Sequence, residues 1–363
     1  MSFAPANEGI AKLKPYQPGK PISELERELG MTDIVKLASN ENPLGCSDKV
    51  KEAVAAELAE IGRYPDGGGF ILKDQIHAQF GVAHDCITLG NGSNDLLEIF
   101  ARAFVSDKDS VVYSQHAFAV YALVTQAINA EAIEVPAQGF SHDLDAMAAA
   151  IKDNTKLVFI ANPNNPSGTY LSKKEIRELM SKIPRHVIVV LDGAYAEYVM
   201  EKDYDVDFSL VKEFDNIILT RTFSKAYGLA GIRLGWCYAS PRVASILSRV
   251  KGPFNTNSLA QHMAIIALND QDHIKMVTGQ NKKNKEWFEG ELTKLDIKFL
   301  PSYANFSFIK STKTDAAKMS ETLLENGIIV RQLDSYNLPH CLRITIGTME
   351  DMKKTIKALE NIS

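Results

Sequence analysis

Short unbroken apolar runs alternate with amphipathic stretches over the first two thirds of the chain. Leu157-Val158-Phe159-Ile160, Val187-Ile188-Val189-Val190-Leu191 and Asn216-Ile217-Ile218-Leu219-Thr220 are brief and rich in β-branched residues. An unbroken run buries both faces of a strand, so these segments predict central strands covered by helices on two sides. Ser110-Val111-Val112-Tyr113 and Cys86-Ile87-Thr88-Leu89 read as further strands. Apolar positions recur at helical spacing over 48–61, 94–105 and 118–129. Strand and helix in alternation predict βαβ units and a largely parallel sheet.

After about residue 253 the pattern changes. Two long helical patterns, 257–269 and 274–295, precede strand-like Ser307-Phe308-Ile309, Gly327-Ile328-Ile329-Val330 and Leu342-Arg343-Ile344-Thr345-Ile346, with helices over 315–326 and 349–361. This reads as a smaller α+β unit. The expected division is an N-terminal arm contributing to the small domain (1–45), a large domain (46–255) and a small C-terminal domain (256–363). Stretches bearing Pro and Gly (14–21, 63–69, 162–168) are short enough to be site loops.

Composition narrows the function. The chain has 363 residues, 45% of them hydrophobic and 23% charged, as in ordinary soluble globular proteins. Forty Lys and Arg against 45 Asp and Glu leave a net charge of −5, which argues against a nucleic-acid surface. No apolar run is long enough to span a bilayer, and no secretory signal pattern opens the chain. Cys46, Cys86, Cys237 and Cys341 lie far apart, at no metal-ligand spacing, so the expectation is a metal-free cytoplasmic enzyme with reduced thiols.

In open α/β sheets ligands bind beyond the carboxyl ends of the strands, so the residues just after each strand matter most. There the chain places Asn162-Pro163-Asn164-Asn165, Asp192-Gly193-Ala194-Tyr195, Arg221-Thr222-Phe223-Ser224-Lys225 followed by Gly231-Ile232-Arg233, and Gly90-Asn91-Gly92-Ser93-Asn94-Asp95. Each alone reads as a turn, a helix cap or a surface charge. Together they are chemically complementary. A pyridoxal phosphate site needs a Lys to form a Schiff base and a carboxylate against the pyridine nitrogen. It needs donors for the ring oxygen, and a helix start, a hydroxyl and an Arg for the phosphate. Lys225, Asp192, Asn165 with Tyr195, the Gly92-Ser93-Asn94 turn with Ser224, and Arg233 supply one of each. A nicotinamide site is disfavoured, because Asp95 stands where G-x-G-x-x-G needs its third glycine.

With these residues in view, the chain resembles the fold-type I pyridoxal-phosphate aminotransferases, in the branch containing the histidinol-phosphate aminotransferases. The resemblance covers nearly the whole chain. It rests on Leu37-Ala38-Ser39-Asn40-Glu41-Asn42-Pro43-Leu44-Gly45, Arg63-Tyr64-Pro65-Asp66-Gly67, Asn164-Asn165-Pro166-Ser167-Gly168-Thr169, the segment from Arg221 through Lys225 to Arg233, and Leu342-Arg343-Ile344-Thr345-Ile346-Gly347. It implies a large domain with a mostly parallel seven-stranded sheet flanked by helices, and pyridoxal 5′-phosphate as cofactor. By the same resemblance Lys225 bonds the cofactor and moves the proton. Asp192 faces the ring nitrogen, Asn165 and Tyr195 hold the ring oxygen, and Phe118 stacks on the ring. Gly92, Ser93, Asn94, Ser224 and Arg233 hold its phosphate. Tyr64 reaches the neighbouring subunit's cofactor, which implies a homodimer with shared sites. Tyr16, Asn42, Arg331 and Arg343 are expected at the substrate.

The implied reaction is transamination of L-histidinol phosphate with 2-oxoglutarate in histidine biosynthesis. An aromatic amino-acid aminotransferase of the same fold is the alternative. One position departs from the pattern: Gly193 stands where relatives often carry Glu, which puts that side chain's hydrogen bond in doubt.

Overall fold

The computed structural model of the chain describes residues 6–13, 15, 21–206, 208–311 and 315–361. Seven strands form the main sheet: β1 (Ile87–Gly90), β2 (Ser110–Ser114), β3 (Glu131–Val135), β4 (Thr155–Ala161), β5 (Ile188–Asp192), β6 (Ile217–Thr222) and β7 (Gly235–Ala239). Their order is β1-β7-β6-β5-β4-β2-β3. Strands β3, β2, β4, β5 and β6 pair in parallel, and β7 is antiparallel to both its neighbours. Two antiparallel pairings in succession bring β1 back to the direction of β6. The carboxyl ends of β1, β4, β5 and β6 therefore meet at one edge of the sheet.

The unbroken apolar runs are buried on both faces, as their pattern predicts. Val158, Ile160, Val189, Leu191, Ile217 and Leu219 pack on one side against Ile176, Leu179, Ala260 and Met263, which belong to helices Lys173–Lys182 and Ser258–Asn269. Leu157, Phe159, Val190 and Ile218 pack on the other side against Leu96, Phe100 and Leu247, from helices Ser93–Phe104 and Pro241–Val250. Full burial of one such side chain contributes about 1.5–3 kcal/mol. Strand β3 escapes the sequence pattern because it is an edge strand, with Glu131 and Glu134 exposed.

A second sheet contains β8 (Lys298–Leu300), β9 (Phe306–Lys310), β10 (Arg331–Leu333) and β11 (Leu338–Thr345). Its order is β10-β11-β9-β8, all antiparallel. Phe288, Leu292, Leu342, Ile344 and Ile356 join it to the helices behind. Val35–Lys36 pairs in parallel with Ile328–Ile329. Leu37 N–H donates to Ile329 O at 2.7 Å, and Thr345 N–H donates to Leu37 O at 2.9 Å. The segment before Ser39 is thus stitched to the C-terminal unit. Of the run expected as a strand, Gly327 to Val330, only Ile328–Ile329 forms one. Ile328–Ile329 pairs with the N-terminal segment, and the chain then turns so that Arg331 enters the other sheet.

Candidate active site

At the shared strand edge lies a cavity of about 260 Å³, lined from both sheets and the N-terminal segment. Its chemistry divides into an anion cradle, a buried carboxylate and lysine, and a pair of guanidiniums.

The cradle begins where β1 ends. Gly92 takes φ 89°, a conformation only glycine adopts at little cost, and Ser93 then opens a three-turn helix. The unpaired N–H groups of a helix start favour an anion. Arg233 closes this end, its Nη1 donating to Ser224 Oγ at 3.2 Å and to Ala230 O at 3.0 Å. A Cβ at position 92 would lie 2.3 Å from Arg233 Nη2. Glycine there lets the guanidinium pack directly behind the helix start. Ser93, Asn94, Ser224 and Arg233 all line the cavity.

Asp192 is the last residue of β5 and is 4% exposed. Thr220 Oγ1 donates to its Oδ1 at 2.9 Å and Tyr121 OH to its Oδ2 at 3.0 Å. Burial pushes the carboxyl pKa up, while these donors, the Ala194 N–H and the Arg221 charge pull it down. Lys225 Nζ donates to Ser39 O at 2.9 Å. Burial of this amine, reinforced by the Arg343 and Arg233 charges against the pull of Glu41 and Asp192, lowers its pKa to about 7. Tyr195 OH accepts from Asn40 Nδ2 at 2.9 Å, and burial pushes the phenol pKa up to about 12, so it keeps its proton. Asn165 Oδ1 accepts from Arg343 Nη1, which leaves the amide's donor side for a ligand. Phe118 completes the wall.

Arg331 and Arg343 are direct cross-strand partners on β10 and β11, and both line the cavity. Like charges directly opposite each other destabilise a sheet, a cost that an anion bound between them would offset. Arg343 is 6% exposed. It donates to Ala38 O at 2.6 Å and lies 5.4 Å from the Phe306 ring. Its Nε is buried without a partner among the described residues.

Of the expected residues, Asn42 and Tyr64 stand apart from this group. Asn42 is not among the cavity-lining residues. Its side chain donates to Gly45 O and Ala226 O, both at 3.0 Å, and accepts from Leu44 N–H, so it pins the 42–45 turn against the residue after Lys225. Tyr64 is 83% exposed and stacks on Phe254, also outside the cavity. Tyr16 lies outside the described residues.

Gly193 has a local reason. A Cβ there would lie 2.1 Å from Arg221 Nη1 and 2.8 Å from Thr220 O. Arg221 is buried, donates to Thr220 O at 3.0 Å and lies 4.7 Å from the Phe208 ring centroid. The absent side chain leaves room for this guanidinium, and any side chain at 193 requires Arg221 to move.

Sequence reasoning missed Tyr121, Thr220 and Asn40 as neighbours of the reacting groups. Tyr121 is three positions from Phe118, and Thr220 is the register partner of Asp192. Those are usable hints only once the pairing of strands is known.

The family model for aminotransferases of class I and II matches residues 32–359. Histidinol-phosphate aminotransferase 1 of Idiomarina loihiensis is 49% identical over 98% of this chain and 97% of its own length. Histidinol-phosphate aminotransferase of Methylobacillus flagellatus is 48% identical over 99% and 97%. Among solved structures, histidinol-phosphate aminotransferase of Sinorhizobium meliloti in complex with pyridoxal-5′-phosphate superposes with a TM-score of 0.91. It is 26% identical, with 100% of this chain and 99% of that chain covered.

Proposed function

The chain belongs to the class I and II aminotransferase family, and on that premise we propose that it moves the amino group of L-histidinol phosphate to 2-oxoglutarate. The products are imidazole acetol phosphate and glutamate, a step of histidine biosynthesis. The observation that carries this reading is the in-register pair Arg331 and Arg343 facing the cavity of Lys225. Two guanidiniums suit a phosphate dianion or a dicarboxylate, and each can offer a two-pronged contact. A single carboxylate, as on an aromatic amino acid, brings less charge and fewer acceptor oxygens than either.

The other end of the cavity fits pyridoxal 5′-phosphate, the cofactor of the Sinorhizobium protein. Ser93, Asn94, Ser224 and Arg233 would hold its phosphate, Asp192 its ring nitrogen, Asn165 and Tyr195 its ring oxygen, Phe118 its face, and Lys225 its aldehyde carbon. When bound, the cofactor supplies an aldehyde that takes up the amino group and a ring that accepts the electron pair released at the substrate carbon. The protein supplies the proton handling. With its pKa near 7, Lys225 is substantially neutral at physiological pH and takes the proton from the carbon bearing the substrate's amino group. Asp192 holds negative charge at the ring nitrogen, and the protonated Tyr195 donates rather than accepts at the ring oxygen. Arg343 and Arg331 fix the substrate anion, which orients that carbon toward Lys225.

Parallel kinetics test the substrate. Histidinol phosphate is expected to show a higher kcat/KM than phenylalanine by about a hundredfold, the worth of one or two charge-assisted hydrogen bonds. A higher value for phenylalanine overturns the substrate assignment in favour of the aromatic alternative.

The same reading makes the molecule a homodimer. Ile61, Tyr64, Phe70, Ile71 and Phe254 are 62%, 83%, 60%, 69% and 47% exposed. Tyr64 and Phe254 stack on each other, and exposed large apolar side chains of this kind suit a second copy of the chain. On this reading Tyr64, which does not line its own cavity, contacts the neighbour's cofactor. Sedimentation should find a dimer, and Ile71→Asp should weaken it by burying a charge. A monomeric wild type overturns the shared-site arrangement. We place the enzyme in the cytoplasm, in keeping with its four free cysteines. Among the described residues no helix is long and apolar enough to cross a membrane.

A further inference from the structure

We propose that Tyr121 and Thr220 are positioning residues for the reaction, holding Asp192 by both carboxylate oxygens and so setting its grip on the cofactor ring. The proposal rests on the reading above that the cavity binds pyridoxal phosphate.

Asp192 is the carboxylate among the residues that line the cavity. Both its oxygens are engaged, from two different elements. Thr220 is its register partner on β6, so sheet pairing alone brings the hydroxyl to Oδ1 at 2.9 Å. Tyr121 comes from helix Val120–Ala127, packed on the sheet face of Val190 and Ile218, and its hydroxyl reaches Oδ2 at 3.0 Å. The Tyr121 ring cannot swing away. It is fully buried, stacks on Phe159 with centroids 4.7 Å apart and planes 4° from parallel, and meets Phe118 edge-on at 5.9 Å. Thr125 Oγ1 donates to the Tyr121 carbonyl at 2.7 Å, anchoring the helix turn. A phenylalanine would fill the same space. What packing does not explain is the hydroxyl, placed against the one carboxylate that the cofactor nitrogen would need.

The electrostatics give the bond a consequence. Burial drives the Asp192 carboxyl toward its neutral form. Thr220, Tyr121, the Ala194 N–H and the charge of Arg221 oppose that drive. Lys225, Tyr195 and Tyr204 are the other titratable groups that interact with Asp192 through charge. Burial and the Asp192 charge push the Tyr121 phenol well above its ordinary range, so it stays a donor throughout. Removing either hydroxyl lets burial prevail further, and Asp192 takes up a proton at a higher pH. A neutral Asp192 no longer balances a protonated ring nitrogen, so the cofactor is held less tightly on the acid side.

The test is a titration of apoprotein with pyridoxal phosphate, followed by absorbance between about pH 5 and 9, with the unfolding midpoint measured at each pH. It compares wild type with Tyr121→Phe and Thr220→Val, two independent removals of a donor. Each variant is expected to bind about tenfold more weakly, the loss of one hydrogen bond to a charged group. Its acid limb of binding should also move to higher pH. A lower unfolding midpoint with an unshifted binding profile overturns the proposal, because that is what lost packing alone would produce. If Tyr121→Phe does not fold, Thr220→Val decides on the same criterion. Wild-type protein that binds no pyridoxal phosphate at any pH overturns the cofactor reading, and this proposal with it. Normal wild-type binding with unaltered variants overturns this proposal alone.

Discussion

Lys225→Ala is expected to lower kcat for histidinol phosphate by at least about a thousandfold, within the range lost when a general acid–base group is removed. On the proposed reading, alanine removes both the amine that bonds the cofactor and the base that takes the substrate proton. The anion cradle is untouched, since Ser224 and Arg233 hold each other without Lys225, so the variant should still bind pyridoxal phosphate. It should no longer be labelled by borohydride. Lys225→Arg should not rescue, because a guanidinium stays charged where a neutral amine is required. The amine's environment adds a pH prediction. Burial and the charges of Arg343 and Arg233 disfavour the protonated form, and the resulting pKa is about 7. The neutral fraction therefore rises with pH through neutrality, not near the ordinary lysine value. The rate at which wild-type apoprotein captures the cofactor covalently should climb between about pH 6 and 8 and then level. A rate still climbing steeply well above that window, or an alanine variant that keeps turning over, would refute the role given to Lys225.

Asp192→Asn carries the second large effect and separates the two roles. It is expected to cost kcat about a hundredfold to a thousandfold, the range for losing one preorganised electrostatic stabiliser. Lys225 is intact in this variant, so borohydride should still label it. Asparagine is the informative replacement because it keeps a side-chain oxygen for one of Thr220 and Tyr121. Asp192→Ala would leave both hydroxyls without an acceptor in the interior, at about 1–3 kcal/mol each, and confuse stability with catalysis. A kcat for Asp192→Asn within a few-fold of wild type would sink the assignment.

The unbroken runs at 157–160, 187–191 and 216–220 are legible as central strands because burial on two faces leaves no room for polar alternation. β3 and β7 are not legible by that rule. β3 carries exposed glutamates at the sheet edge. β7, Gly-Trp-Cys-Tyr-Ala, is fully buried but mixes small and aromatic residues in place of β-branched ones. The Gly327 to Val330 run illustrates a different limit. Its apolar pattern says strand, yet Ile329 and Arg331, two positions apart, pair in separate sheets, and no local pattern encodes that turn.

The candidate site divides in the same way. The sequence by itself determined the kinds of group present: the lysine, the carboxylate and the helix start with its glycine at strand ends, and the two arginines of the C-terminal unit. Residue type carries charge and hydrogen-bonding capacity, and strand ends face a common edge in an open α/β sheet. Only the tertiary structure decided how those groups act on one another. Tyr121 is 71 residues from Asp192, Arg343 is 178 from Asn165, and Asn40 is 155 from Tyr195. It also assigned Asn42 to a backbone turn, Tyr64 to an outer surface, and Gly193 to making room for Arg221. Distances of this kind are set by strand order and register, which arise from packing the whole sheet. The pKa values that poise Lys225 and Asp192 follow from burial and neighbouring charge, properties that no residue has until the chain has folded around it.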